Sequence, residues 1–179
     1  MELYIVRHGE VSHNVLKQYN TKDEDLTKIG VKQAEKLRDK IKDINFDVII
    51  SSPLIRAKHT AKILNINDKK MFTDNRIKER DCGDLSGKSL AATNRVEYWN
   101  YNTKIRYGTS EDIKLFFNRV FNFLEELKTK DYKIVLIVAH SGVSKAFSAY
   151  FDGLGDGKFL NRGLKNCEIK KYYLWKNIN

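Results

Sequence analysis

The chain has 179 residues, of which 41% are hydrophobic and 31% are charged. This length fits one domain with an apolar core, and this composition argues against a disordered tail. No apolar run approaches the roughly 18 residues of a membrane span, so we expect no membrane association. Lys and Arg outnumber Asp and Glu by 33 to 23, and the net charge of +10 favours anionic partners such as nucleic acid, acidic membrane surfaces or phosphorylated small molecules.

Cysteine usage narrows the class of protein further. Cys82 and Cys167 are the two cysteines of the sequence, and neither belongs to a CxxC or Cys/His metal spacing. A disulfide scaffold and a zinc site are therefore poorly supported. The apolar stretch from Leu3 to Val6 is too short for the core of a signal peptide. We expect a cytoplasmic protein with a single domain over residues 1–179 and with no metal or cofactor.

The first half of the chain alternates short apolar runs with helical periodicity. Residues 3–6 predict a buried strand, and residues 48–50 predict the next one. Between them, Thr27 can cap the N-terminus of a helix, because apolar residues follow at helical spacing: Val31, Ala34, Leu37 and Ile41. Ser52 is predicted to cap another helix that has Pro53 at its first position and continues towards Leu64.

The middle of the chain is less regular. Residues 71–73 predict a short edge strand, and one short helix is predicted over residues 90–99. A longer helix over residues 110–127 follows from one apolar stripe, formed by Ile113, Phe116, Phe117, Val120, Phe121, Leu124 and Leu127.

The last part of the chain completes an alternating pattern of strands and helices. Residues 133–139 form the most apolar run and predict a central strand. A helix over residues 142–151 and a final strand over residues 168–175 follow. This order predicts an α/β protein, a three-layer α/β/α sandwich around a largely parallel central sheet.

Candidate functional residues follow the predicted strands. Arg7 and His8 follow the first, Arg56 lies in the first turn of the helix after the second, and His140 follows the central strand. Ligands of such sheets bind beyond the carboxyl ends of the strands, so these side chains are expected in one crevice. A neutral imidazole can attack phosphorus while guanidinium groups stabilise the phosphoryl oxygens. Nearby cations disfavour protonation of His8. The pattern therefore indicates phosphoryl chemistry that needs no metal.

Several motifs in fixed order strengthen this interpretation. LYIVRHGE, LTKIGVKQAEKL, VIISSPLIRAKHTAKIL, IKERDCGDLSGK and VLIVAHSGV span residues 3–143. The sequence resembles the histidine phosphatase superfamily, also called phosphoglycerate-mutase-like, whose successive motifs have this order. The pattern around Glu79 resembles that of small phosphatases such as the alpha-ribazole phosphatase branch.

The resemblance implies a role for each candidate residue. His8 would be the nucleophile that becomes phosphohistidine, and Glu79 would protonate the leaving oxygen. Arg7, Arg56 and His140 would hold the phosphate. Further hydrogen bonds to the phosphate would come from Asn14 and from the backbone N–H of Ser141.

Three functions remain open at this point. The first is metal-independent hydrolysis of a small phosphomonoester through a phosphohistidine, with no specific nucleic acid or membrane partner. The second is a cofactor-dependent phosphoglycerate mutase, although we expect the chain to be too short for the additional segment with which those enzymes bind the substrate carboxylate. The third is a phosphate- or nucleic-acid-binding module without catalysis, which the intact set of five chemical residues disfavours: Arg7, His8, Arg56, Glu79 and His140.

Substrate selection is expected in residues 15–25 and 84–108, which have the least motif content. Aromatic residues of the second stretch could line the entrance or simply pack: Tyr98, Trp99 and Tyr101. Arg80 could grip substrate or face water, and Cys82 is expected to pack. His13 and His59 are expected at the surface or behind the site rather than in a metal site.

Overall fold

The computed structural model describes residues 1–175. Its α-helices are α1 (Ser12–Val15), α2 (Lys28–Ile41), α3 (Ile55–Leu64), α4 (Arg95–Tyr98), α5 (Ile113–Leu127) and α6 (Ser141–Asp152). Its strands are β1 (Glu2–Arg7), β2 (Val48–Ser51), β3 (Met71–Thr73), β4 (Ile134–Ala139) and β5 (Ile169–Tyr173). The single domain predicted over residues 1–179 stays a prediction, and its residues 176–179 lie outside the described part.

The strands form one sheet in the order β3-β2-β4-β1-β5, so β4 is central, as its apolar sequence predicts. All neighbours run parallel except β5, which is antiparallel to β1. Arg7 pairs with Ala139, and Ser51 pairs with Val138. The carboxyl ends of β1, β2 and β4 therefore lie side by side at one edge of the sheet.

Helices cover both faces of this sheet. One face carries a cluster rich in aromatic residues, to which α5 and α6 contribute. The other face carries a smaller cluster that includes α2 and α3. Successive residues of β1 point to opposite faces, since Ile5 belongs to the first cluster and Val6 to the second. The predicted three-layer α/β/α sandwich with a largely parallel sheet is confirmed.

The predicted helix starts differ in accuracy. Thr27 caps α2 as predicted, because its hydroxyl accepts a hydrogen bond from the N–H of Gly30 at 3.0 Å. The prediction that Ser52 caps α3, with Pro53 at its first position, is wrong: α3 begins at Ile55, after Leu54. The Ser52 hydroxyl accepts only a long 3.3 Å bond from Leu54 N–H, and it also contacts His140 at the sheet edge.

Two other helix predictions need correction. The single helix predicted over residues 90–99 is wrong, since a short 3₁₀ turn (Leu90–Ala92) and α4 are separated there. Each begins with its own cap, because Ser89 and Asn94 accept hydrogen bonds from the N–H groups that follow them. The helix predicted from residue 110 begins at Ile113, where Asp112 is the N-cap.

The predicted apolar stripe of α5 packs into the core, except that Phe123 takes the buried position expected for Phe121. Phe121 is only partly buried and packs at the margin against Phe117 and Tyr150, whereas Phe123 is fully buried. Residues 1–175 contain no helix that is long and apolar enough to cross a membrane.

Candidate active site

The sheet edge brings together the residues that follow three strands. The rings of His8 and His140 lie edge to face, with their centroids 5.2 Å apart. The charges of Arg7 and Arg56 lower the pKa of both imidazoles, after the larger effect of burial. The predicted convergence of two histidines and two arginines is therefore present in the structure.

His8 is held in one neutral form. Its Nδ1 lies 2.7 Å from the carbonyl oxygen of Gly9, and a carbonyl can only accept, so Nδ1 carries the proton. Burial and then the two guanidinium groups hold the pKa of His8 well below its ordinary value. The imidazole is therefore neutral near pH 7, with the lone pair on Nε2. This is the form that nucleophilic attack requires.

His140 is positioned by Ser52. Its Nε2 lies 2.7 Å from the Ser52 hydroxyl, and its buried Nδ1 has no hydrogen-bond partner within residues 1–175. If the hydroxyl donates to Nε2, Nδ1 carries a proton and is free to donate to an anion. Ser52 thus matters for the site, although the sequence interpretation gave it a different role.

The two arginines are anchored at one end and unsatisfied at the other. Arg7 donates to the carbonyl of Leu164 at 3.0 Å, and Arg56 donates to the carbonyl of Thr21 at 2.7 Å. The Nε atoms of both are buried and lack a partner in the described chain. Burial lowers the pKa of both guanidinium groups, although the charge of Glu79 opposes this effect. Fixed cations with spare N–H donors suit a phosphoryl group.

Glu79 lies at the N-terminus of α6. One carboxylate oxygen accepts from Gly142 N–H at 3.1 Å, and the other accepts from Arg80 N–H at 2.9 Å. A Cβ atom on Gly142 would overlap this carboxylate and press against the Trp99 ring, so any side chain there would displace Glu79. Glu79 and the two arginines line one large cavity together with Ser141 and Asn14. His8 and His140 are buried beside them, at 2% and 0% exposure.

Arg119 fixes the backbone around Glu79, and sequence reasoning missed it. Its guanidinium donates to the carbonyls of Lys78 and Glu79 at 2.9 and 3.1 Å, and it pairs with the carboxylate of Glu111 at 2.7 Å. No clear sequence signal marks it, because α5 is amphipathic and carries other polar residues, such as Asn118 and Asn122.

Asn14 is held by another residue that the sequence analysis did not single out. Asn166 donates from its side-chain amide to both Asn14 Oδ1 and the backbone carbonyl of His8, each at 3.0 Å. Asn14 Oδ1 also accepts from Val11 N–H. The Asn14 oxygen is therefore satisfied by the protein, and its amide nitrogen is the atom suited to an anion. No sequence signal marks Asn166 within its Gly-rich surroundings.

A close backbone contact joins two of the sequence motifs. A Cβ atom on Gly9 would overlap the backbone of Gly30 in α2, and a Cβ on Gly30 would overlap the backbone of Glu10. The N–H of Gly9 also donates to the Thr60 hydroxyl of α3 at 3.1 Å. Both helices therefore clamp the turn after His8, which explains why each motif has a glycine at that point.

The entrance contains the aromatic residues that the sequence singled out. Tyr98 and Trp99 are buried in the core, and each also contributes to the cavity wall, so the two alternatives for these residues both apply. Tyr101 packs against Phe117 in the core. Arg80 is buried and donates to the carbonyls of Tyr98 and Glu111, with its guanidinium 4.1 Å from the Tyr98 ring centroid. Its Nε and one terminal nitrogen are thus engaged by the protein.

The remaining candidates lie around the loop of residues 16–25. His13 pairs with Glu24 at 2.7 Å, and His59 pairs with Asp25 at 2.8 Å. Cys82 packs against the larger apolar cluster, and burial raises the pKa of its thiol. These contacts hold the loop against the rest of the cavity wall.

Comparison with known proteins gives a consistent result. Residues 3–177 match the sequence model of the histidine phosphatase superfamily, branch 1. A relative from Hydrogenobacter thermophilus with a provisional phosphoserine phosphatase name is 31% identical, over 96% of this chain and 89% of its own length. Phosphoserine phosphatase 1 of the same organism is 28% identical over 100% and 89%. The alpha-ribazole phosphatase structure from Shigella flexneri has a TM-score of 0.83 at 25% identity, with 96% and 89% of the two chains covered.

Proposed function

Because the chain belongs to the histidine phosphatase superfamily, branch 1, we propose that it hydrolyses small phosphomonoesters through a phosphohistidine formed on His8. The observation that carries this proposal is the state of His8. Its Nδ1 is bound by the Gly9 carbonyl, and its neutral form is favoured by burial and by two guanidinium groups. A buried neutral imidazole with a free Nε2 is prepared for attack on phosphorus.

The phosphate would lie among four side chains, which we call the phosphate end of the cavity: Arg7, His8, Arg56 and His140. The unpaired Nε groups of both arginines and Nδ1 of His140 supply donors for phosphoryl oxygens. Asn14 and the backbone N–H of Ser141 would add further donors. These positive charges belong to the chain itself, so the proposed chemistry runs without a metal ion.

The reaction would proceed in two balanced steps. Nε2 of His8 attacks phosphorus, the bond from phosphorus to the ester oxygen breaks, and Glu79 gives its proton to that oxygen. Water then attacks the phosphohistidine, gives a proton to the Glu79 carboxylate, and breaks the bond between phosphorus and nitrogen. Inorganic phosphate leaves, and both residues return to their starting states.

The test uses p-nitrophenyl phosphate and sn-glycerol 3-phosphate with EDTA present. We expect phosphate release from both substrates, and at least a 1000-fold loss for His8→Ala because the nucleophile is removed. The matched control is His59→Ala, which removes a partly exposed histidine paired with Asp25 and should keep near wild-type turnover. Because phosphohistidine hydrolyses in acid, the trapped phosphoenzyme is quenched and analysed in alkali. Phosphohistidine survives these conditions, whereas a phosphoserine ester does not.

Two outcomes would contradict the proposal. Equal activity of wild type and His8→Ala would remove the assigned nucleophile. Conversion of 3-phosphoglycerate to 2-phosphoglycerate without phosphate release, dependent on 2,3-bisphosphoglycerate, would establish the mutase alternative instead.

A further inference from the structure

Two cations line the cavity outside the phosphate end. Lys145 lies on α6, four residues after Ser141, and Arg95 lies on the short helix α4. Both line the same cavity as Glu79. Neither takes part in the reaction described above, so the presence of their charges beside the site needs a separate explanation.

Lys145 is an ammonium group inside the protein. It is 4% exposed, and within the described residues its hydrogen-bond acceptor is the carbonyl oxygen of Leu160. Its Nζ lies 5.2 Å from the Trp99 ring centroid, and a Cβ atom on Gly163 would press against it. An ammonium has three N–H donors, so donors remain on the side that faces the cavity.

Burial lowers the pKa of Lys145 to about 8, while the charge of Glu79 acts in the opposite direction. The amine is therefore still mostly charged near pH 7. Burying a charge without a bonded counter-ion is costly, and such a group is more often functional than structural.

Arg95 is held by aromatic rings. Its guanidinium lies 5.2 Å from the Tyr19 ring centroid and 5.6 Å from that of Tyr98. Within residues 1–175 the contacts of its guanidinium are these two ring contacts, and the side chain is only partly buried. Ring stacking orients the guanidinium and leaves its N–H donors available.

These groups share one region of the cavity. The charge of Arg95 contributes to the lowered pKa of Lys145, and Glu79 acts on the same amine. Trp99 has a buried indole N–H without a partner in the described chain, and its ring meets both Lys145 and Arg80. Lys145, Arg95 and Arg80 outnumber the carboxylate of Glu79 here, so this region carries a net positive charge that suits an anionic group on the leaving alcohol.

The spacing fits a short linker between two anions. A Cβ atom on Gly163 would touch both Ser141 Oγ and Lys145 Nζ, so these two polar atoms lie within about 5 Å of each other. In a phosphorylated three-carbon hydroxy acid, four bonds of about 1.5 Å each join phosphorus to the carboxylate carbon, and the bond angles reduce this path of about 6 Å to a separation of about 5 Å.

We propose that Arg95, Trp99 and Lys145 form an alcohol end of the cavity that binds a carboxylate on the leaving group. The preferred substrates are then phosphomonoesters of small hydroxy acids. This inference rests on the proposed phosphatase function and adds to it the class of alcohol that the site selects.

The test compares two substrates that differ in one group. In 3-phosphoglycerate the alcohol carries a carboxylate, and in sn-glycerol 3-phosphate a hydroxymethyl group replaces it. We expect wild type to prefer the first by roughly tenfold or more in kcat/KM, as expected for hydrogen bonds to a charged group. Lys145→Met and Arg95→Met should each reduce this ratio by roughly tenfold, mainly through a higher KM for 3-phosphoglycerate.

Lys22→Met is the matched control. Lys22 also lines the cavity, but it already pairs with Asp81 at 3.0 Å, so its removal should leave the ratio of the two substrates unchanged. Arg95→Lys is a second variant that keeps the charge, and it should retain part of the preference that Arg95→Met loses.

Failure of this inference is distinct from failure of the proposed function. Equal kcat/KM for both substrates in wild type would overturn the carboxylate subsite while leaving the phosphatase intact. An equal loss on both substrates in Lys145→Met would mean that Lys145 only positions Glu79 or the helix. No hydrolysis of any phosphomonoester, including p-nitrophenyl phosphate, would instead contradict the proposed function itself.

Discussion

The two ends of the cavity are built differently. The phosphate end is formed by the last residue of β1, by the residues that directly follow β1 and β4, and by the first turn of α3, so sheet pairing fixes its shape. At the alcohol end Lys145 lies on α6, but Arg95 and Trp99 depend on α4, which is one turn long and is held by side-chain contacts. Chemistry placed on strand ends keeps its geometry when the neighbouring loops change. Selection of the alcohol can therefore vary without disturbing the nucleophile.

This difference has a consequence for mutations. A change at the phosphate end should affect every substrate by the same factor, because every substrate carries the same phosphoryl group. A change at the alcohol end should affect substrates unequally. The following predictions test this division, from the largest effect to the smallest.

Arg56→Ala should lower kcat/KM by 100-fold or more, as expected when a preorganised charged donor is removed. The loss should be the same for 3-phosphoglycerate and for sn-glycerol 3-phosphate, within about threefold. Steady-state phosphate release measures both. Selective loss on one substrate would place Arg56 at the alcohol end and break the division.

Glu79→Gln tests the boundary between the two ends. Gln keeps an oxygen that can accept from Gly142 N–H but cannot deliver a proton. We expect kcat/KM to fall about 100-fold on sn-glycerol 3-phosphate and less than about fivefold on p-nitrophenyl phosphate, whose leaving group needs little protonation. Equal losses on these two esters would argue that Glu79 is not the acid.

Ser52→Ala should have a smaller effect of the phosphate-end kind. It removes the hydroxyl that lies 2.7 Å from His140 Nε2. The proton of that imidazole is then no longer held on Nδ1. We expect kcat/KM to fall roughly tenfold, equally on all substrates. The control is Ser148→Ala, which removes a buried serine of α6 that binds Asp152. If both variants behave alike, the Ser52 effect is one of packing.

Lys145→Met should also change stability, in a pH-dependent way. The pKa of Lys145 is about 8 in the folded chain against an ordinary 10.5, so unfolding takes up a proton between these values. The buried charge therefore destabilises the fold below about pH 8, and this penalty disappears as the pH rises towards 10.5. We expect the variant to be more stable by about 1 kcal/mol at pH 7, after loss of the Leu160 hydrogen bond offsets part of the gain.

Urea unfolding of both proteins at pH 7 and pH 10 measures this difference. The advantage of Lys145→Met should shrink or reverse at the higher pH, because the wild-type amine is then neutral. A constant difference in the free energy of unfolding across this pH range would show that folding does not lower the pKa of Lys145.

The sequence predicted the phosphate end better than the alcohol end, for physical reasons. Strands and long amphipathic helices have clear periodicity, and Arg7, His8 and His140 follow the strands directly. Ser52 was misassigned because a serine before proline is also a good helix cap, and only the folded sheet edge places His140 beside it. Residues 90–99 lack periodicity, and their two caps are local features that compete with a continuous helix.

Lys145 shows what further sequence signal existed. It is the one cation of a helix whose other residues are mostly small or apolar, and a hydrophobic residue would be cheaper to bury there. Arg119 lacks such a signal, because α5 is amphipathic and carries other polar residues. The contacts of Asn166 and Arg95 depend on loops that meet only after folding, so periodicity and spacing alone could not identify these residues.

The position of β1 also bears on how the protein is made. This strand ends directly before His8, the proposed nucleophile, and lies between β4 and β5, both of which come more than 120 residues later in the chain. During synthesis at the ribosome, the start of the chain must wait for both neighbours before its hydrogen bonds can form. The hydrogen bonds that hold the backbone of His8, with Ala139 after β4 and with Asn166 before β5, can therefore form only after these distant segments have docked.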